Sequence, residues 1–140
     1  MDIRSFVDST VRKHHSRNPF EIAKGLNIMI IPVPLIDCRG FYQYFQRNNI
    51  IYIDENLSHH DKMFVCAHEL AHMLLHKKAN TVFMETKTCF NTNRYEEEAN
   101  KFAMELLVPD EVIFENWQFT TNQIARLTGY TEELIKLRLK

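Results

Sequence analysis

Residues 63–75 are almost continuously apolar, broken only by His68, Glu69 and His72, which is the pattern of a helix enclosed in a core rather than laid on a surface. The run extends back to Ser58 and forward to His76 as one long helix. Ser58 is its cap, and Asp61 stands where a capping box needs its third-position partner. A second helical period spans residues 94–107. With Glu96 at zero on a wheel, Ala99, Asn100, Ala103, Leu106 and Leu107 fall within about 80° of it, and Glu97, Glu98, Lys101 and Glu105 gather on the far side. Glu96 therefore points inward, among residues small enough for another helix to come close. Glu97 and Glu98 are expected at the solvated start of the helix, favoured by its dipole, with Glu97 paired to Lys101 one turn on.

The rest of the pattern predicts an α+β domain, mostly helical, with a small antiparallel sheet. Residues 3–15 form a helix whose basic end, Arg12 to Arg17, is a solvated face. Asn18 as cap and Pro19 as first helical residue start a short helix that stops near Gly25. Residues 28–33 form a strand that Pro32 and Pro34 confine to an edge or terminate. Residues 40–45 and 50–54 are rich in aromatic and β-branched side chains and make a hairpin across turn residues 46–49. After Pro109 a short helix runs to about Trp117. Residues 120–138 resemble a helix-turn-helix, with Ala125, Gly129 and Ile135 at the small, turn and core positions. Residues 77–93 show no clear period and are expected to fold over a cleft.

Composition works mainly by exclusion. A chain of 140 residues fits one domain able to bury a sizeable core. The net charge of -1 gives no electrostatic argument for a nucleic acid or membrane partner. Glu132 and Glu133, at the start of the would-be recognition helix, argue further against direct DNA contact, so the helix-turn-helix pattern is read as fold. No apolar run reaches the roughly 18 to 20 residues of a membrane span, and the amino terminus has no signal-like core. Cys38, Cys66 and Cys89 show no paired metal spacing and fit a reducing compartment; Cys66 reads as helix core and Cys89 as a loop or packing residue.

Candidate chemistry sits in His68-Glu69-Leu70-Ala71-His72, a HExxH motif. One helical turn separates the two imidazoles, so both can reach one ion at about 2.0 to 2.1 Å, and Glu69 beside them can take a proton from water attacking a carbonyl. The wheel offers Glu96, rather than Glu97 or Glu98, as the third ligand. Asn100, one turn on, could bond the outer nitrogen of a ligand histidine and fix its tautomer. His76 is about 12 Å along the axis from His68, too far to share the ion; it either borders the cleft or caps the helix. Tyr95, His76 and Tyr52 are the candidates for contacting substrate or its oxyanion. A peptide substrate could add as a strand to an exposed edge of the aromatic hairpin.

HELAH followed by MLLH, then EEEANKFAMELLVP, resembles the ImmA/IrrE family of metallopeptidases, over residues 18–140, with Val108-Pro109 where the family often has Met-Pro. The resemblance implies a zincin-like core, one zinc ion on His68, His72 and Glu96, and Glu69 as catalytic acid/base. It further implies a cytoplasmic endopeptidase whose substrate is a helix-turn-helix repressor of a phage or mobile genetic element, so that cleavage relieves repression. The alternative is a non-proteolytic regulator using the same fold to bind DNA or a protein partner.

Overall fold

The first helix, α1 (Ile3–His14), is capped by Asp2, whose carboxylate accepts from the Ser5 amide. Helix α2 (Pro19–Gly25) starts as its sequence predicts, with the Asn18 side chain accepting from the Phe20 N–H and Pro19 placed where no donor is needed. The computed structural model describes residues 2–76 and 93–140. The expectations for a cleft-covering segment and for Cys89 lie outside the described residues.

Strands β1 (Met29–Val33), β2 (Gly40–Phe45) and β3 (Asn48–Asp54) form a sheet in the order β1-β3-β2. β2 and β3 pair antiparallel, as the hairpin predicts, but β1 runs parallel to β3, so the sheet is mixed rather than antiparallel. The cause is topological: the connection from β1 to β3 is itself a strand, so β3 returns in the direction of β1 and slots between its two neighbours. Pro32 is accommodated because β1 is an edge. The hairpin turn is tighter than its sequence suggests. Gln46 and Arg47 alone make it, both left-handed at φ of 50° and 66° as a two-residue turn between twisted strands requires, and Asn48 and Asn49 belong to β3.

Alternation splits this sheet into two faces. Tyr42, Ile51 and Ile53 join the core with Val65, Cys66 and Leu70 of α3 (His59–Leu75). Tyr52 and Phe41 turn to the opposite face, where their rings stack with centroids 4.5 Å apart and the Tyr52 hydroxyl donates to Gln43. Ser58 caps α3 by accepting from the Asp61 N–H at 3.2 Å; only this half of the capping box forms, because the Asp61 carboxylate pairs with Arg39 at 3.3 Å. Gly40 is where β2 meets α3 most closely. A Cβ there would lie 2.5 Å from Val65 Cγ1 and 2.8 Å from the Tyr52 carbonyl oxygen.

Helix α4 (Asn93–Leu107) departs from the one-sided wheel. Phe102, Ala103, Met104, Glu105 and Leu106 are consecutively buried, because α4 is enclosed by α1, α3 and the last helix, α7 (Glu132–Leu139). Lys101, expected beside Glu97, instead reaches buried Glu105 at 2.9 Å and donates to the carbonyls of Leu137, Arg138 and Lys140. Arg17, expected in a solvated basic face, satisfies the Glu105 and Leu106 carbonyls at the end of α4.

Helix α5 (Asp110–Glu115) stops short of Trp117, and α6 (Thr121–Thr128) ends at Gly129, left-handed at φ 83°. Ile124, Ala125 and Ile135 close a second apolar cluster on Met104 and Val108. Arg138 locks this cluster. It is 4% exposed and donates to the Val108 carbonyl at 2.7 Å, to Asp110 at 2.7 Å and to Glu105 at 3.4 Å. Arg4 reaches Asp110 from α1. Among the described residues no helix is long and apolar enough to cross a membrane.

Two stability predictions follow from these contacts. Gly40→Ala should cost about 1 to 3 kcal/mol in urea unfolding, since the added methyl meets a backbone oxygen that cannot swing away. Arg138→Met should cost about 3 kcal/mol by leaving the buried Val108 carbonyl without its donor and Glu105 with Lys101 as its remaining ionic partner, whereas Arg4→Met, removing an exposed partner of the same Asp110, should stay within about 0.5 kcal/mol.

Candidate metal centre

The crossing of α3 and α4 builds the site. Ala67 and Ala71 on α3, and Ala99 and Ala103 on α4, are all fully buried at 0% exposure, small side chains in the core that these two helices share. One turn of α3 separates His68 from His72, whose rings meet edge to face at 81° with centroids 4.7 Å apart. Their Nε2 atoms lie 3.1 Å from each other. Glu96 completes the triangle, with Oε2 at 3.0 Å from His68 Nε2 and Oε1 at 3.0 Å from His72 Nε2.

These three residues each present one ligand atom, all within 4.8 Å of one another. A tetrahedral ion with bonds of about 2.0 to 2.1 Å spaces its donors about 3.3 Å apart. The observed triangle is a few tenths of an ångström tighter, and side-chain torsions alone can supply that difference. Two imidazole lone pairs and a carboxylate at this spacing repel unless a cation or a proton lies between them. Nitrogen and oxygen donors of this kind suit zinc and its divalent neighbours.

Electrostatics of the metal-free site follow from that crowding. Hydrogen bonds from His68 and then His72 hold the Glu96 carboxyl well below the usual carboxylate range, against partial burial. At His68, burial pushes the imidazole down, but hydrogen bonding to Glu96 and the charges of Glu69 and Glu96 outweigh it and the ring stays above its usual value. At His72 burial prevails and the ring is held below its usual value, despite the Glu96 hydrogen bond.

Glu69 lies beside the triangle, its side chain 12% exposed and 4.0 Å from His68 Nε2. Burial pushes its carboxyl up to about 7; the His68 charge opposes this, the Glu96 charge adds to it, and the nearby Tyr42 backbone N–H opposes it. A carboxyl poised near neutrality can take up a proton and give it back. The Tyr42 contact also places Glu69 at the edge of the sheet. Asp54 N donates to the Arg39 carbonyl, so in this antiparallel ladder the odd residues 39, 41 and 43 face β3 and the even residues 40, 42 and 44 face away.

Outer nitrogens of the two histidines have different partners. His68 Nδ1 lies 2.8 Å from Asn100 Oδ1, the contact expected for Asn100. His72 Nδ1 lies 3.2 Å from Nδ1 of His76, whose Nε2 is 2.9 Å from Glu98 Oε1. The reading of Glu98 as a solvated dipole partner is thereby corrected; α4 is covered on several sides, so a residue far from Glu96 on the wheel still meets α3. His76 is the C-cap residue of α3, its own N–H bonded to the His72 carbonyl. Of the candidates for substrate contact, His76 has a side chain only 4% exposed and Tyr52 stacks on Phe41 on the sheet face away from α3. Tyr95 lies against the His76 ring, centroids 4.5 Å apart.

Comparison with known proteins agrees with this arrangement. Residues 23–140 match the family model described as Peptidase_M78, IrrE N-terminal-like domain. An uncharacterized immunity region protein 2 of Bacillus phage phi105 is 43% identical over 139 residues, covering 97% of this chain and 88% of that protein. Metallopeptidase ImmA of Bacillus subtilis (strain 168) is 33% identical over 135 residues, covering 95% of this chain and 75% of that protein. A model match over most of the chain, together with relatives aligned almost end to end, establishes that this protein belongs to the M78 peptidase family of IrrE N-terminal-like domains.

Proposed function

We propose that this protein is a zinc endopeptidase that holds one ion on His68, His72 and Glu96 and uses Glu69 as its general base. The observation behind this reading is the convergence of two imidazole nitrogens and a carboxylate, mutually 3.0 to 3.1 Å apart, with a near-neutral carboxyl alongside. A bound zinc ion supplies Lewis acidity toward the scissile carbonyl and acidity to a water molecule. Three protein ligands leave a fourth position open for that chemistry. Glu69 accepts the proton as water adds to the carbonyl and returns it to the departing nitrogen. Asn100 keeps the His68 ring turned so that Nε2 faces the cluster.

The outward-facing backbone of β2 at Gly40, Tyr42 and Tyr44 passes beside Glu69, which suits a substrate laid down as an added strand with its carbonyl over the cluster. A metallopeptidase name on one relative and an immunity region name on the other favour, with the family resemblance, a helix-turn-helix repressor of a phage or mobile genetic element as the substrate. On this reading the protein works in the cytoplasm of the bacterial host, and cleavage relieves repression. Direct DNA binding is disfavoured by Glu132 and Glu133 in the first turn of α7, the end a phosphate would approach.

Purified wild-type protein should carry about one zinc ion per chain, measured by elemental analysis, and His72→Ala and Glu96→Ala should lose most of it. Glu69→Gln should keep zinc and fold while repressor cleavage slows about 10² to 10⁴-fold. Relief of repression by Glu69→Gln at the wild-type level would instead identify a non-proteolytic regulator.

A further inference from the structure

The proposed ligand set leaves unexplained why two more titratable side chains, His76 and Glu98, are stacked behind it. The side chains of His76 and Glu98 are 4% and 25% exposed, and they are joined at 2.9 Å. His76 lies between that carboxylate and His72, with its Nδ1 3.2 Å from His72 Nδ1 and its other face covered by Tyr95. Burying a histidine and a carboxylate is unfavourable unless each is paired, and here each is paired along a single line that ends at the cluster.

We infer that Glu98 and His76 are positioning residues that fix the proton of His72 on Nδ1 and so turn its Nε2 lone pair toward the ion. This inference rests on the metal site proposed above. Hydrogen-bond polarity dictates the order. A carboxylate only accepts, so the proton of His76 lies on Nε2, where Glu98 receives it. His76 Nδ1 is then an acceptor, and His72 Nδ1 faces it at 3.2 Å. An ion bound at Nε2 replaces any proton there, so the proton of neutral His72 lies on Nδ1, where His76 accepts it, and Nε2 faces Glu96 and the ion. His68 has a different support, the neutral carbonyl of Asn100. The two ligands are therefore not equivalent: His72 is backed by a carboxylate acting through an imidazole, which strengthens it as a donor.

Zinc affinity, measured on the full chain by competition with a chromophoric chelator, tests this without any substrate. His76→Phe keeps a ring against Tyr95 but removes the acceptor, and Glu98→Leu removes the far end of the line. Each should weaken zinc binding about 10 to 100-fold, with circular dichroism showing that the zinc-free variant remains folded. Glu98→Gln, which still offers an oxygen to His76, should recover part of the loss. In the zinc-loaded wild type, proton NMR should show a downfield His72 Nδ1–H resonance protected from solvent exchange, and His76→Phe should abolish it. Unchanged affinity in both His76→Phe and Glu98→Leu, or a Glu98→Gln loss as large as that of Glu98→Leu, would overturn the relay while leaving the metal site standing. A wild-type protein that takes up no zinc would overturn both.

Discussion

Two helices can bring polar groups from separate parts of a chain to one point only if their backbones come close, and the crossing of α3 and α4 meets that condition. Ala67 and Ala71 on α3 and Ala99 and Ala103 on α4 are fully buried in one apolar cluster. Small buried side chains on both helices leave room for that approach. The imidazoles of His68 and His72 are already aligned by helical spacing, so the crossing distance is the remaining variable that decides whether a carboxylate arrives within 3.0 Å of both.

Most of this site was legible because helical periodicity is a local property. The polar interruptions at His68, Glu69 and His72 in an apolar run, and Glu96 on the small-residue face of its own helix, could be read from neighbours a few positions away. What escaped was set by neighbours distant in sequence. A single wheel assumes one buried face, yet α4 is wrapped by three helices, so Glu98 and Glu105 were assigned to solvent although one meets His76 and the other is buried with Lys101 and Arg138. Arg17 looked like part of a basic tail because nothing nearby shows that the end of α4 lies within its reach. The direction of β1 could not be read from its apolar pattern, which is the same whether its partner runs with it or against it; only the insertion of β3 between its neighbours decides it.

The buried charges divide into two groups with different work. Around Arg138, the ions are matched by opposite ions and by carbonyls at helix ends, and they hold α7 and the start of α5 against α4. Around His72, two imidazoles and a carboxylate converge on one point with no opposite ion among the described residues beside them. The first arrangement neutralises itself and stabilises packing. The second could hold a metal ion, in keeping with a metallopeptidase family.

The nearness of the Tyr42 backbone N–H to Glu69 bears on solubility as well. An edge strand with open donors and acceptors is a template on which another chain can pair, and β2 is such an edge, with exposed Tyr44 and Phe45 near its end. At Tyr42 the open donor lies close to the Glu69 carboxyl carried by α3. Another copy of the chain pairing along this edge would have to displace or bury that carboxyl, which opposes self-pairing, and a substitution that removed it would remove that obstacle together with the proposed base.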